Sequence, residues 1–278
     1  ASGVALSSAG SRTTQELRLR TTRSLWDTGY TDESWIGEPV MLIPRMQTWV
    51  DDLYPGTMLA VTEYNFGGLE HINGAVTQAD VLGIFGREGL HMACLWSPPD
   101  SSDPGAYAFR VFLNYDGNGS QFGSLGVEAG SSDEESVSVY AALNDSQSEL
   151  TCVVVNKEFS GVDITLQLEN FDAGVAGRLF RYDDSNLSAI QNLGAVPVTS
   201  GSLNLVLPAQ SISLLVFNQD ECLNHGDVTR DGSLTAADAQ MAFEIVLGVI
   251  SPTYTEQCAA DCDGNASVSA ADAQLIFL

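Results

Sequence analysis

The chain ends in two near-copies of one pattern, DVTRDGSLTAADAQMAFEIVLG (residues 227–248) and DCDGNASVSAADAQLIFL (residues 261–278). Each copy has oxygen-bearing side chains at loop positions 1, 3 and 5 and an aspartate at position 12, where an apolar helical run begins. Such a loop wraps a hard cation, because alternate residues point inward and a carboxylate from the incoming helix closes the far side. A solvated acidic loop is the alternative for one copy alone, but the tandem repeat favours two calcium ions.

The predicted calcium ligands are side-chain oxygens and one backbone carbonyl in each loop. In the first loop they are Asp227, Thr229, Asp231, the carbonyl of Ser233 and Asp238. In the second loop they are Asp261, Asp263, Asn265, the carbonyl of Ser267 and Asp272. Both sets consist of hard oxygen donors, which is the donor class that calcium prefers.

The paired loops resemble the type I dockerin module over residues 224–278, since both end at aspartate in position 12 and lack the bidentate glutamate of the EF-hand. The resemblance implies a small α-helical module that needs calcium to fold and that attaches extracellular enzymes to cohesin domains. Two residues depart from the dockerin pattern: Thr229 replaces Asp or Asn, and Ala266 replaces the glycine that eases the turn at position 6. The second copy stops at Leu278, before the turn that the first completes at residues 247–248, so we expect a truncated module.

The charge balance of the chain excludes some classes of partner. Its 36 acidic residues outnumber 11 basic ones, which gives a formal net charge of −25. Such a charge disfavours nucleic acid and anionic membranes as partners, and it suits a protein that binds cations and neutral substrates. No apolar run approaches the roughly 18 residues of a membrane span. The chain begins at Ala1 without an initiator methionine or a visible signal peptide, so we expect the gene product to begin upstream.

The five cysteines fall into two groups. Cys222, Cys258 and Cys262 flank the two calcium loops, which in an exported protein indicates disulfide bridging of a small module. Their pairing stays open, and one of them could pair with a cysteine outside this chain. Cys94 and Cys152 lie in apolar, strand-like runs and are predicted to be buried thiols. Zinc is not indicated, because no CxxC pair has a matching second pair or histidine cluster.

The chain is long enough for two or three domains, and its first predicted region is residues 1–104. There, helical and strand patterns alternate. A helix is predicted at residues 40–55, a strand at 57–66, a helix at 72–89 and a strand at 90–96. This order is typical of the βα units of a parallel sheet or barrel.

The second predicted region, residues 105–219, consists of short strands separated by Gly, Asp, Asn and Ser, which predicts an antiparallel β-sandwich. Its strands are predicted at residues 107–115, 136–143, 149–156, 163–170, 177–184 and 203–218. The third region, residues 220–278, holds the paired calcium loops. The linker before it, at about residues 218–224, is too short to be a long flexible tether.

Glu63 is the strongest candidate for chemistry outside the calcium loops. It follows the apolar run MLAV at the end of a predicted buried strand, and in a (β/α) barrel that end carries the active site. The alternative is an ordinary strand-end acid that faces solvent. Trp96 ends the next predicted strand, where it is suited to stack on a sugar face or, alternatively, to pack in the core. His71 and His91 lack ligand spacing, so a structural or substrate-facing role is favoured over metal binding.

Four segments together resemble glycoside hydrolase family 44; they lie at residues 22–36, 42–68, 71–96 and 107–123. The resemblance runs from about Arg12 to Phe217. It implies a secreted β-1,4-glucanase or xyloglucanase in which a (β/α)8 barrel precedes a β-sandwich. The part that this chain matches would be the last two βα units of the barrel and the sandwich.

The resemblance also implies roles for particular residues. Through the TEYN motif it places the nucleophile of a retaining double displacement on Glu63. Trp96 would meet the bound sugar, and Tyr64 and Asn65 would lie beside the nucleophile and contact the substrate. Trp26 would also contact the substrate, because it lies with Asp27 and Trp35 in a long loop that the resemblance places on the active-site face.

The second carboxyl group of a retaining glycosidase is missing from the chain. Such an enzyme needs an acid/base about 5–5.5 Å from the nucleophile. The family takes it from an Asn-Glu-Pro motif, which this sequence lacks; the nearest string, Gly37-Glu38-Pro39, precedes a predicted helix. We therefore expect a multidomain fragment made of a partial barrel, a sandwich and a truncated dockerin.

The resulting functional prediction is a secreted, extracellular or cell-surface endo-β-1,4-glucanase or xyloglucanase, attached to a scaffold protein through a cohesin. The isolated chain should be inactive, since half of the cleft is absent. The alternative is a non-catalytic module that binds cohesin or glycan and keeps a vestigial barrel remnant. An Asn-Glu-Pro strand in the upstream coding sequence would discriminate between the two.

Overall fold

The computed structural model describes residues 3–174, 176–219, 226–263 and 267–277. The described residues up to Leu113 form helices around two parallel strands. In chain order the elements are α1 (Arg12–Thr21), a short 3-10 helix (Thr22–Leu25), α2 (Leu42–Leu53), β1 (Ala60–Tyr64), α3 (Ile72–Arg87), β2 (Met92–Leu95) and α4 (Pro104–Leu113). The predicted order of helix, strand, helix and strand over residues 40–96 is therefore confirmed. None of the helices in the described ranges is long and apolar enough to span a membrane.

Strands β1 and β2 run parallel, with Ala60 opposite Met92 and Val61 opposite Ala93. Helix α3 connects them and is buried along most of its length. It is apolar on more than one side because it packs against α1, α4 and the strands of the next domain. Since α3 crosses from the end of β1 to the start of β2, the carboxyl ends of both strands lie at one edge.

The prediction of a strand at residues 107–115 is wrong, because this segment belongs to helix α4. Tyr107, Phe109, Val111 and Leu113 alternate as in a strand, which explains the error. The residues that the structure buries are instead Pro104, Gly105, Ala108 and Val111, spaced as on one face of a helix. Pro104 occupies the first turn, where a proline needs no hydrogen-bond partner.

The β-sandwich contains a six-stranded antiparallel sheet in the order β3-β4-β5-β10-β7-β8 and a two-stranded antiparallel sheet, β6-β9. The strands are β3 (Leu125–Val127), β4 (Val137–Leu143), β5 (Glu149–Asn156), β6 (Val162–Gln167), β7 (Ala176–Tyr182), β8 (Gln191–Pro197), β9 (Ser202–Leu207) and β10 (Ser211–Asn218). Four of the remaining five predicted segments of residues 105–219 are confirmed as single strands, and the fifth, residues 203–218, contains the two strands β9 and β10. Sequence analysis missed β3, which has three residues, and β8, which is largely exposed.

Both faces of the central strands β5 and β10 of the six-stranded sheet are buried. On one face, Val153 and Leu214 belong to the apolar cluster that includes α3 and α4. On the other face, Cys152 and Leu215 pack under β6 and β9. Residues of opposite parity along a strand point to opposite faces, so β5 and β10 must be apolar at nearly every position. The sheet therefore joins the helical region to the small second sheet.

The paired-loop region contains helices α5 (Ala236–Val246), α6 (Tyr254–Ala260) and α7 (Ala270–Phe277). Its core is small and rich in alanine, with Val228 and Ile276 as its largest buried side chains. Cys258 is disulfide-bonded, whereas Cys262 is a free thiol. The prediction of bridging thus holds for Cys258 and is wrong for Cys262, and Cys222 lies outside the described residues.

The two cysteines predicted to be buried thiols differ. Cys152 is buried, and burial raises its pKa to about 12. Cys94 is exposed, so that prediction is wrong. Cys94 lies on β2, whose residues are covered on only one side, as the alternation of exposed Met92 and half-buried Ala93 shows. An apolar run identifies the strand but not whether both of its faces have neighbours.

A buried polar network joins α3 to the six-stranded sheet. Asp80 of α3 accepts hydrogen bonds from the Tyr140 hydroxyl and the Thr22 hydroxyl, each at 2.8 Å. The ammonium of Lys157 lies 3.7 Å from the Asp80 carboxylate and donates to the Ser138 hydroxyl at 2.7 Å. Burial raises the pKa of Tyr140, and the neighbouring Asp80 raises it further, so Tyr140 stays a neutral donor. The network fixes α3 on the sheet through directional bonds.

We expect Asp80→Ala to lower the free energy of unfolding by about 3–5 kcal/mol, because it leaves the buried Lys157 ammonium without a carboxylate. Urea unfolding followed by circular dichroism measures the change. The matched control is Asp163→Ala at an exposed position of β6, which should shift stability by no more than about 0.5 kcal/mol. Equal losses in the two variants would contradict the role of the network.

Candidate active-site edge and paired cation loops

Glu63 and Trp96 lie at the same edge of the molecule, at the carboxyl ends of β1 and β2. The backbone N–H of Trp96 donates to the carbonyl of Tyr64 at 2.9 Å, so the parallel pairing continues to this edge. The Glu63 side chain is exposed, and Trp96 is 56% exposed. A carboxylate and an open aromatic face are therefore available at one edge, where parallel strands of α/β folds carry their reactive groups.

Asn65 connects the two loops that leave this edge. Its side-chain amide donates to the carbonyl of Trp96 at 2.5 Å, and its side-chain oxygen accepts from the backbone N–H of Gly67 at 2.6 Å. Ser97 follows Trp96 with a φ of +54°, a conformation uncommon outside glycine. Asn65 thus holds the loop after β1 against the loop after β2. This contact positions the edge and adds no reactive group to it.

Tyr64 points away from the exposed Glu63 side chain. Its ring packs edge-on against Phe85 of α3 with centroids 5.0 Å apart, and its hydroxyl accepts a hydrogen bond from the Gln78 amide at 2.9 Å. Burial raises the pKa of Tyr64. The residue therefore braces β1 against α3. Gln78 was not singled out in the sequence, because nothing in a helical pattern reveals which strand side chain it meets.

Trp26 contacts the carboxyl end of α3. The Arg87 guanidinium sits over the Trp26 ring, 4.3 Å from its centroid, and Arg87 is the last residue of α3. Phe85, two residues before Arg87, packs on Tyr64, so this contact lies within a few residues of the part of α3 that braces β1. The contact of Trp26 with the substrate stays a prediction.

The structure also places the other candidates of this region. Asp27 pairs with Arg23 at 2.7 Å. Trp35 is 93% exposed in the segment before α2. Histidines 71 and 91 are separated by the length of α3, since His71 immediately precedes that helix and His91 immediately precedes β2. The described structure therefore brings together Glu63, Asn65 and Trp96 among the candidates of the first region.

A cleft of about 420 Å³ adjoins the edge and contains groups that the sequence analysis did not identify. Asn65 and Ser97 form part of its wall, together with the carboxylates of Glu70, Asp100 and Asp103. These acids follow the two strands in their connecting loops. Their position after a strand was a usable signal, but acidic loop residues are also common on ordinary surfaces.

The two cation loops have the same internal hydrogen bonding. Asp238 accepts from the backbone N–H groups of Thr229 at 2.8 Å and Thr235 at 2.7 Å. Asp272 accepts from those of Asp263 at 3.2 Å and Ser269 at 2.9 Å. Each position-12 aspartate is thus buried and tied to positions 3 and 9 of its own loop.

Hydrogen bonds keep both of these aspartates ionised. Burial by itself would raise the pKa of Asp238, but the bonds from Thr229 and Thr235 lower it to about 2. Burial likewise opposes ionisation of Asp272, whose pKa is nevertheless lowered by the bonds from Ser269 and Asp263. A buried, fully ionised carboxylate in each loop suits a cation site.

The second loop gathers three carboxylates at one point. Oxygens of Asp261, Asp263 and Asp272 lie within 4.8 Å of one another. In the first loop the Asp227 carboxylate accepts from the N–H groups of Asp231 and Gly232. These donor sets fit a hard divalent cation held by oxygen ligands. The predicted ligand Asn265 lies outside the described residues. Ser233 and Ser267, whose carbonyls are the remaining predicted ligands, occupy position 7 of the first and the second loop.

Comparison with known proteins identifies the last part of the chain. The family model described as "Dockerin type I domain" matches residues 225–277, and domains of this type generally bind calcium. Endoglucanase A of Paenibacillus lautus is 37% identical over 223 residues, which are 78% of this chain and 32% of that protein. The beta-mannanase/endoglucanase A of Caldicellulosiruptor saccharolyticus is 32% identical over 208 residues, 69% of this chain and 15% of that protein.

Solved structures agree with these relatives. CelM2, a bifunctional glucanase-xylanase from a metagenome library, is 46% identical with a TM-score of 0.73, over 76% of this chain and 40% of that one. A xyloglucanase of Paenibacillus polymyxa from glycoside hydrolase family 44 is 30% identical with a TM-score of 0.73, over 78% of this chain and 44% of that one. The chain thus spans less than half the length of the relatives it matches. It carries a part of a glycoside hydrolase family 44 protein, followed by a type I dockerin domain at residues 225–277.

Proposed function

We propose that the protein of which this chain is a part is a secreted, retaining endo-β-1,4-glucanase or xyloglucanase. The observation that carries the proposal is that the exposed Glu63 and the exposed Trp96 lie at the carboxyl ends of two paired parallel strands. The names of the relatives, endoglucanase and xyloglucanase, support the substrate class. Its polysaccharide would be a β-glucan or xyloglucan of the plant cell wall.

In this proposal Glu63 is the nucleophile. Its carboxylate attacks the anomeric carbon of a sugar residue and forms a covalent glycosyl-enzyme, while an acid protonates the leaving oxygen. Water then releases the sugar with retained configuration, because two inversions occur in sequence. Trp96 stacks on a sugar ring, and Asn65 keeps the Trp96 loop in place through its 2.5 Å hydrogen bond.

The acid/base would come from outside this chain. The 278 residues contain no Asn-Glu-Pro sequence, and the described residues contain two parallel strands where an eight-stranded barrel has eight. The two βα units would then be the last two of a (β/α)8 barrel. The exposed Met92 of β2 would lie against the remainder of that barrel.

The dockerin would attach the enzyme to a scaffold protein by binding a cohesin domain, and it would hold two calcium ions. Asp227, Asp231 and Asp238 would bind one ion, and Asp261, Asp263 and Asp272 the other. Calcium neutralises carboxylates that otherwise repel one another, and it thereby links loop and helix in each copy. Cohesin-mediated attachment places the protein outside the cell or at the cell surface.

Glu63→Gln, made in a protein that also contains the missing barrel strands, should lower kcat by several orders of magnitude and leave substrate binding nearly unchanged. The amide keeps the shape of the side chain and removes the nucleophile. Hydrolysis of xyloglucan or β-glucan measures the rate. Glu88→Gln, at the far end of α3, is the matched control and should keep full activity. A Glu63→Gln variant that retains more than about a tenth of the activity would refute the assignment.

The 278-residue chain alone should not hydrolyse glucan. Two βα units cannot close a barrel, so β1 and β2 keep open edges and an uncovered side. Residues 1–100 should also be cut by protease sooner than the sandwich, which mass spectrometry of the fragments can show. Retaining hydrolysis by the purified chain would disprove this arrangement, whereas an upstream coding sequence without an Asn-Glu-Pro strand would favour the non-catalytic anchoring module.

Removal of calcium with EDTA should reduce the helical circular dichroism signal and abolish cohesin binding while the sandwich stays folded, because the dockerin core is too small to compensate for repelling carboxylates. The first loop should hold calcium more firmly than the second, since Gly232 adopts a positive φ of +83° at position 6, where the second loop has Ala266 in the sequence. Asp238→Ala should therefore damage calcium-dependent folding more than Asp272→Ala. Asp184→Ala, on the sandwich surface, serves as the control. Calorimetry that shows no heat on calcium addition would argue against the cation loops.

A further inference from the structure

The first cation loop contacts the sandwich through an ion pair. The Arg230 guanidinium donates to the Asp172 carboxylate at 2.9 Å, where Asp172 lies in the segment between β6 and β7. The Arg230 side chain is 43% exposed and the Asp172 side chain 17% exposed. The pair therefore lies at the rim of a contact between the dockerin and the sandwich.

A cleft of about 480 Å³ opens beside this pair. Asn170 and Phe171 line it on the sandwich side, and Pro252 and Glu256 line it on the dockerin side. The two surfaces are therefore not closely packed at this point, and the ion pair is a direct contact between them.

The backbone at Arg230 supports a specific role for this arginine. Its φ is +59°, in the left-handed region where glycine is at ease and other residues are uncommon. The second copy has Gly264 at the same loop position. The backbone requirement of the first loop therefore does not explain the arginine, whereas the reach of its side chain to Asp172 does.

We propose that the sandwich segment around Asp172 is a docking surface for the first cation loop of the dockerin, held by Arg230. Docking leaves the apolar side chains of α5 and α7 open, since Phe243, Leu247, Leu275 and Phe277 remain exposed. A partner that binds this apolar face then meets the sandwich in one preferred orientation.

The test compares variants of the whole 278-residue chain in calcium, by hydrogen–deuterium exchange and small-angle X-ray scattering. Arg230→Gly removes the guanidinium and places the residue of the second copy on a backbone that suits it. Asp172→Asn removes the charge from the sandwich side, so the test stays valid if Arg230→Gly disturbs the loop. Asp184→Asn is the matched control on an exposed sandwich acid.

In Arg230→Gly and in Asp172→Asn we expect the docked population relative to the undocked one to fall roughly two- to five-fold, the range for a half-exposed ion pair. Exchange at residues 168–174 should accelerate by that factor, and the radius of gyration should increase, while the helical signal stays unchanged. The double exchange Asp172→Arg with Arg230→Asp should restore both values. Profiles identical to the unaltered chain, or no recovery in the double exchange, would overturn the proposal.

Discussion

Burial of the central strands of the six-stranded sheet on both faces is the constraint on which the rest of the molecule depends. One face supports β6 and β9, and the other supports α3 and α4. Helix α3 in turn braces β1 through Phe85 and Gln78, which contact Tyr64. The position of Glu63 therefore follows from a chain of contacts that starts in the sandwich. The two domains are folded against each other, and neither buries its apolar surface alone.

The parts of the fold that could be predicted are those specified by local sequence. The alternation of β6 and the helical pattern of α3, which stops at Gly89, determine each element from its own residues. Helix α4 was predicted as a strand because its apolar residues fit a period of two as well as a helical period. Contact with α3 selects the helix. The network around Asp80 could not be predicted, because its members, Thr22, Asp80, Ser138, Tyr140 and Lys157, come from separate elements of the chain.

The two candidate sites differ in the same way. Each cation loop is a continuous stretch of twelve residues, so position along the chain places its carboxylates. The edge that carries Glu63 and Trp96 followed from strand polarity, which is also a local property. The orientation of Tyr64 and the location of Trp26 depend on which residues of α3 they meet, and no local pattern contains that information. The exposure of Cys94 likewise depends on a missing neighbour of β2.

The burial of Lys157 has a practical consequence for chemical work on the protein. It is the only lysine in the sequence, and its ammonium lies within the folded domain with its side chain 6% exposed. Reagents that acylate lysine amines, including ester-activated dyes and biotin, therefore find no lysine target on the native surface. Modification of Lys157 requires that the sheet separate from α3, so the rate of acylation at this residue reports opening of the domain interface. Attachment chemistry for the folded protein should instead use carboxylates, which the chain presents in excess.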